Sequence, residues 1–224
     1  MTKPKLQFTI ITLFPEALEA YLHTSMMWKA QDKGLVSFKL VNLRDFGLGP
    51  HRSVDDTPYG GGDGMLLRPE PIYSAIESIK AKDPKAQTIL PTPVGKLWTQ
   101  SSARKLATKT GHYIILCPHY EGYDERIMPL IDLPVSLGQF VLTGGELPAL
   151  CIVDSIVRLI PGVLGGATSA DIESFSHGDN LEYPQYTKPA DFRGMKVPEV
   201  LLSGHHGKIQ AWRDAHSGKF KPEP

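Results

Sequence analysis

Four stretches of this 224-residue chain concentrate residues able to do chemistry. The first runs Val54-Asp55-Asp56-Thr57-Pro58-Tyr59-Gly60-Gly61-Gly62-Asp63-Gly64-Met65, and its four glycines in five positions let a backbone approach a ligand closely. It is not a P-loop, because no Gly-Lys-Ser/Thr follows, and it lacks the third glycine of a dinucleotide fingerprint. A flexible surface loop is the alternative. The second stretch, Cys117-Pro118-His119-Tyr120-Glu121-Gly122-Tyr123-Asp124-Glu125-Arg126, directly follows the apolar run Tyr113 to Leu116. Ligands of open α/β sheets sit at the carboxyl ends of strands. Glu121 can therefore act on a ligand there, while Asp124 and Glu125 favour a helix N-terminus.

The third stretch runs from Ser136 through Thr143-Gly144-Gly145-Glu146 to Ala149. A glycine pair between a strand and a helix places backbone amides where they can line a cofactor pocket. No acidic residue waits about 20 positions on in a dinucleotide-binding context, which argues against that cofactor class. The fourth is Ser203-Gly204-His205-His206-Gly207-Lys208, leading to Trp212-Arg213. Adjacent histidines diverge in any regular element and no HExxH spacing exists, so no metal site is expected. Trp212 and Arg213 suit stacking on and pairing with RNA, and equally a capped helix with a core tryptophan.

The elements that must position these stretches alternate. Phe8 to Leu13 reads as a strand, and Pro15-Glu16 opens a helical pattern through about Lys29. Val36 to Leu43 reads as a second strand, followed by a polar, glycine-rich connection from Arg44 to Gly64 without periodicity. Pro69 starts a helix with Ile72, Ile76 and Ile79 on one face. Short apolar runs recur at Thr88 to Leu90, Tyr113 to Cys117 and Val135 to Leu142. Strands alternating with helices predict an α/β fold with a parallel sheet covered on both faces. Leu147 to Ile160 is apolar nearly all round, which predicts burial in the core or at a subunit interface. Pro161-Gly162 ends it.

Bulk properties exclude several classes. No apolar run approaches the roughly 20 residues that span a bilayer, and no apolar signal core follows the N-terminus. Cys117 and Cys151 form no zinc or disulfide framework, so a reduced, cytoplasmic setting is expected. Net charge is zero, but the tail from Lys188 onward carries seven Lys/Arg against four acids. A basic appendage on a slightly acidic body can hold RNA phosphates, with solvated surface charge as the alternative.

Together these segments resemble the bacterial tRNA (guanine-N1)-methyltransferase family, TrmD. The matching features run in order from Leu13-Phe14-Pro15-Glu16 to Trp212-Arg213. They include Arg44-Asp45-Phe46, the Pro-Tyr-Gly-Gly-Gly loop, Tyr-Glu-Gly-x-Asp-Glu-Arg, Val-Leu-Thr-Gly-Gly-Glu-Leu-Pro, Arg158 to Gly165, Tyr186-Thr187-Lys188-Pro189 and Ser-Gly-His-His. The resemblance implies a SPOUT-type parallel sheet with a deep trefoil knot over residues 1–164, an interdomain linker at 165–177, and a small helical tRNA-binding domain at 178–224. It also implies a homodimer whose active site is shared between subunits. S-adenosylmethionine is the implied methyl donor, held by Pro91, Thr92 and Pro93, by Pro118, Tyr120 and Gly122, and by Leu137, Gly138, Gln139, Phe140, Val141, Leu142, Gly144 and Gly145. The implied substrate is tRNA, methylated on N1 of the guanosine at position 37, 3′ of the anticodon. Asp55, Tyr59, Gly61, His205, His206 and Arg213 are the implied tRNA contacts.

By the same resemblance Arg158 is the cation that receives charge on guanine O6, Glu121 orients donor or substrate, and Asp179 is the base that removes the N1 proton. The family pattern Ser-Phe-x-Asp-Gly-Leu-Leu-Asp/Glu-x-Pro is one residue longer here, running Ser174-Phe175-Ser176-His177-Gly178-Asp179-Asn180-Leu181-Glu182-Tyr183-Pro184. Strict register from Ser174 puts His177 at the aspartate position, which makes it the rival base. A second departure is Pro118-His119, where the family usually carries Gly-Arg; proline removes one backbone N–H. A related RNA methyltransferase with another target, or a tRNA-binding module without turnover, are the competing functions.

Overall fold

A computed structural model describes residues 4–166 and 172–221. The chain separates into two compact units, Met1–Gly165 and Gly166–Pro224. Residues 167–171 of the expected linker lie outside the described residues.

The first unit runs β1 (Leu6–Thr12), α1 (Pro15–Leu22), α2 (Ser25–Asp32), β2 (Val36–Asn42), β3 (Asp55–Asp56), β4 (Leu66–Leu67), α3 (Pro69–Lys80), β5 (Gln87–Leu97), α4 (Gln100–Ala107), β6 (Gly111–Leu116), β7 (Leu133–Ser136) and α5 (Glu146–Val157). Its five-stranded sheet has the order β2-β1-β6-β5-β7, with every neighbouring pair parallel. The α/β class with a parallel sheet is thus observed. Strand alternation divides the core in two. Leu6, Phe8 and Ile10 of β1, with Tyr113 and Ile115 of β6, face the buried side chains of α1, α2, α4 and α5. Ile11, Ile114 and Leu116 face the other way, against Ile72, Ala75, Ile76 and Ile79 of α3. Both faces are covered, which is why these strands read as nearly unbroken apolar runs.

The structure departs from the sequence pattern at three places. The single helix expected from Pro15 to Lys29 is two, because Ser25, which opens the second, takes a positive φ of 48°. The connection after β2 is ordered, not structureless. Leu43–Phe46 form a 3-10 turn, Leu48 and Ser53 pair through both backbone groups, and β3 pairs antiparallel with β4. The strand expected to reach Leu142 stops at Ser136. Helix α5 buries one face through Ala149, Ile152, Val153, Ile156 and Val157, but Leu147 is 62% exposed. Apolar composition alone did not reveal that open face.

The second unit contains β8 (Asn180–Leu181), β9 (Asp191–Phe192), β10 (Met195–Lys196), α6 (Glu199–Leu202), α7 (His206–His216) and β11 (Gly218–Lys219). β8 pairs with β11 and β9 with β10, both antiparallel. None of its described residues is fully buried. Aromatic contacts replace a conventional core. Trp212 stacks on His216 at 4.1 Å, Tyr186 approaches Trp212 at 6.3 Å, and Phe175 meets Phe220 edge-on at 5.5 Å.

Candidate active site

Three segments from the carboxyl ends of β5, β6 and β7 enclose a cavity of about 380 Å³. They are Pro91 to Val94, Pro118 to Tyr123, and Val135 to Gly145. Backbone contacts join the second and third of these walls. Gly145 N–H donates to the Pro118 carbonyl at 2.7 Å, and His119 bridges Gly144. A Cβ at Gly145 would lie 2.6 Å from the Cys117 Cα, so only glycine permits the approach. Gly95 meets the same constraint against β7, where an added Cβ would lie 2.6 Å from the Pro134 carbonyl carbon. There the β5–β7 ladder shifts register between Pro91 and Lys96, opening the strand pair beside the cavity. The Tyr123 hydroxyl donates to Thr92 Oγ1 at 3.0 Å, tying two walls together.

The loop after β6 is also fastened to the glycine-rich hairpin. Glu121 N–H donates to the Met65 carbonyl at 3.0 Å, and Leu67 N–H to the Gly122 carbonyl at 2.9 Å. Gly60, Gly61, Gly62 and Gly64 all take positive φ, and a Cβ on Gly64 would lie 2.5 Å from the Glu121 Cγ. Tyr120 itself sits at φ 60°, a strained conformation for a residue with a side chain, within the cavity wall.

Of the residues expected at a cofactor, all but Gln139 line this one cavity. Glu121 lines it as well. Arg158 caps the end of α5, its N–H bonded to the Asp154 carbonyl, and is not among the lining residues. Asp179 and His177 lie in the second unit, both exposed, in the turn before β8. Phe175 N–H donates to the Asn180 carbonyl and Glu182 N–H to Ser174 Oγ, closing this turn on itself. It holds a further acid that the motif comparison passed over: Glu173, half-buried where Asp179 is exposed.

Of the expected tRNA contacts, Asp55 lies in β3 and Tyr59 projects fully into solvent beside Gly61. His205 caps α7, its Nδ1 accepting the Lys208 N–H, and His206 opens the helix. The Arg213 guanidinium lies 4.8 Å from the Tyr183 ring centroid.

Sequence reasoning marked His119 only as a departure from the family pattern and gave Glu146 no role. Glu146 Oε1 accepts the Thr12 hydroxyl at 2.7 Å across 134 positions of chain, a pairing no local pattern reveals. Burial, with the Glu146 charge adding to it, pushes the Cys117 thiol well above its ordinary range, so it stays protonated. The Asp124 carboxylate is held below its usual value by its hydrogen bonds from Arg126, and it also caps the 3-10 turn Glu125–Leu130.

The family model for tRNA (Guanine-1)-methyltransferase TrmD matches residues 6–220. The chain belongs to the TrmD family. Relatives described as tRNA (guanine-N(1)-)-methyltransferase share its sequence closely. That of Anaeromyxobacter dehalogenans is 52% identical over 210 residues, covering 93% of this chain and 85% of the relative. That of Geobacillus kaustophilus is 51% identical over 213 residues, covering 95% and 86%. Among solved structures, the tRNA (m1G37) methyltransferase from Aquifex aeolicus superposes with a TM-score of 0.79 at 39% identity, covering 95% of this chain and 89% of that one. The motifs of this TrmD chain that follow β5, β6 and β7 are the ones that meet at the cavity.

Proposed function

We propose that this protein transfers a methyl group from S-adenosylmethionine to N1 of the guanosine at tRNA position 37. The observation that carries the reading is the convergence of three strand-end loops on one cavity in a chain of the TrmD family. The cavity has the size of a small-molecule site, with proline, leucine and valine walls interrupted by glycine backbone. Such walls suit the planar base of a nucleoside-sized donor. We further propose that these loops form the trefoil knot of the SPOUT fold, that two chains share each active site, and that the second unit holds the tRNA. No helix among the described residues is long and apolar enough to cross a membrane.

The bound donor supplies an electrophilic methyl group on a sulfonium. Residues of the chain align it with the acceptor, because an in-line displacement gains most from fixed geometry. Guanine N1 carries a proton, and as that proton leaves, negative charge moves to O6. Arg158 receives this charge. Asp179 takes the proton. Carboxylates are weak bases beside the nitrogen they must deprotonate, so this step depends on Arg158 lowering the barrier to N1–H loss. Glu121, fixed by the Met65 carbonyl and packed on Gly64, orients donor or substrate from the cavity wall.

Two tRNA transcripts that differ only in guanine or adenine at position 37 test the reading. Transfer of labelled methyl to the guanine transcript alone, with 1-methylguanosine in the digest, is expected. Equal transfer to both would place the target elsewhere, and tight binding without transfer would make the protein a binding module. Comparison of Asp179→Asn, His177→Ala and Glu173→Gln then identifies the base, since a variant that methylates at the normal rate has lost nothing essential.

A further inference from the structure

His119 lies in the cavity wall, where its ring is enclosed on several sides. Phe14 stands 5.0 Å away between ring centroids, and Tyr120 meets it edge-on at 5.3 Å. Nδ1 is buried without a hydrogen-bond partner and lies 3.8 Å from Glu146 Oε2. The side chains of His119 and Glu146 are 25% and 13% exposed. Glycine at position 144 keeps the gap between them open: a Cβ there would lie 2.5 Å from Oε2 and 2.6 Å from Nδ1.

A separation of 3.8 Å is too long for a hydrogen bond, yet less than 1 Å of closure makes one. A neutral ring points an Nδ1 lone pair at the carboxylate in one tautomer and donates only an uncharged N–H in the other. A protonated one satisfies both groups with a charge-assisted bond. Glu146 opens α5, and His119 belongs to the loop already bonded to Gly144 and Gly145. Protonation therefore pulls two cavity walls together.

The surroundings leave Glu146 as the charge that faces the imidazole. Thr12, which ends β1, and Phe14 just beyond it are uncharged. The Cys117 thiol stays protonated, and Tyr120 presents its ring edge. Glu121 and Glu125 line the same cavity from the loop itself.

We infer that His119 is a proton-responsive positioning residue, whose imidazolium pairs with Glu146 and closes the cavity wall around the methyl donor. The inference rests on the S-adenosylmethionine reading for its ligand, but the His119–Glu146 pairing is measurable without that ligand.

Two measurements on the full chain test it. In the donor-free protein, nuclear magnetic resonance follows the His119 ring through its titration, the signal being assigned by its loss in His119→Gln. Glu146→Gln is expected to move the midpoint to lower pH. Calorimetric binding of S-adenosylmethionine is expected to weaken roughly five- to tenfold in the wild type between about pH 6 and 8.5, the range in which imidazoles change charge. The step should vanish in His119→Gln and Glu146→Gln, whereas His119→Arg, a permanent cation, should hold tight binding throughout. The donor's own amino group titrates equally in every variant, so the difference between variants is the readout. An unmoved midpoint in Glu146→Gln, or the wild-type step persisting in His119→Gln, overturns the inference. Absence of donor binding at every pH overturns the function reading instead, and the ring titration still decides the pairing.

Discussion

Gly95 offers the sharpest test of how the cavity is built. Replacing it with alanine adds one methyl group to β5, directed at the backbone of β7, 2.6 Å from the Pro134 carbonyl carbon. Backbone cannot rotate away as a side chain does, so the two strands must separate or the methyl must be accommodated by strain. Overpacking of this kind costs about 1–3 kcal/mol. For a chain of this size each kcal/mol lowers the melting temperature by about 2–4 °C, so a mid-range cost gives a loss of roughly 4–8 °C. The separation falls at the register shift between Pro91 and Lys96, beside Pro91 to Val94 in the cavity wall. Donor affinity should therefore fall about tenfold, the equivalent of 1.4 kcal/mol. The control is Gly111→Ala in β6, where an added Cβ meets nothing within 4 Å and stability should change by less than about 0.5 kcal/mol. Calorimetry of unfolding and of S-adenosylmethionine binding reads both quantities. Gly95→Ala with the melting temperature and donor affinity of the wild type would refute the close-approach argument. A lowered melting temperature with intact affinity would show the strain relieved away from the cavity.

Arg158→Ala should lower the rate of methyl transfer by about 100- to 1,000-fold with an unchanged melting temperature, the scale of losing one group that stabilises developing charge; normal turnover would defeat that assignment. Tyr59→Ala should weaken tRNA binding about tenfold in a filter assay and leave donor affinity alone, because its fully exposed ring is free to stack on a base. The Tyr21 hydroxyl donates to Asp154 at 2.6 Å, and that bond, ahead of partial burial and the carboxylate charge, pushes Tyr21 up to about 12. A raised folded-state value means its stabilisation is complete below the ordinary tyrosine value near 10 and is lost as pH rises through about 12. Tyr21→Phe should therefore cost only about 0.5 kcal/mol near neutral pH, given its exposure, and should remove this contribution to alkaline destabilisation, as read by urea unfolding. An identical alkaline profile in the variant would count against the pairing.

The sequence by itself determined what is local. Alternating apolar runs and helical spacing are properties of neighbouring residues, so the α/β class and the positions of β1, β2, β6 and α3 were legible from periodicity. The ordered motifs identified the family for the same reason, since each is a short contiguous string. Helix α5 was legible as an element, but which of its faces stays open was not. Nearly uniform apolarity carries no direction, and Leu147 is set apart from Ala149 only by what α5 packs against. Ser25 and Ser136 show the limit at element ends, where a positive φ or the departure of a ladder partner overrides propensity.

Only the tertiary structure decided the site. Gly95 and Gly145 look like ordinary loop glycines until the backbones of β7 and Cys117 arrive within a methyl group's reach. Thr12, His119 and Glu146 form a cluster only because parallel pairing of β1 with β6 sets the two strand ends side by side, next to the start of α5. Contacts across more than 100 residues depend on strand order and register. Those are set by the whole packed core at once, and no window of sequence contains them.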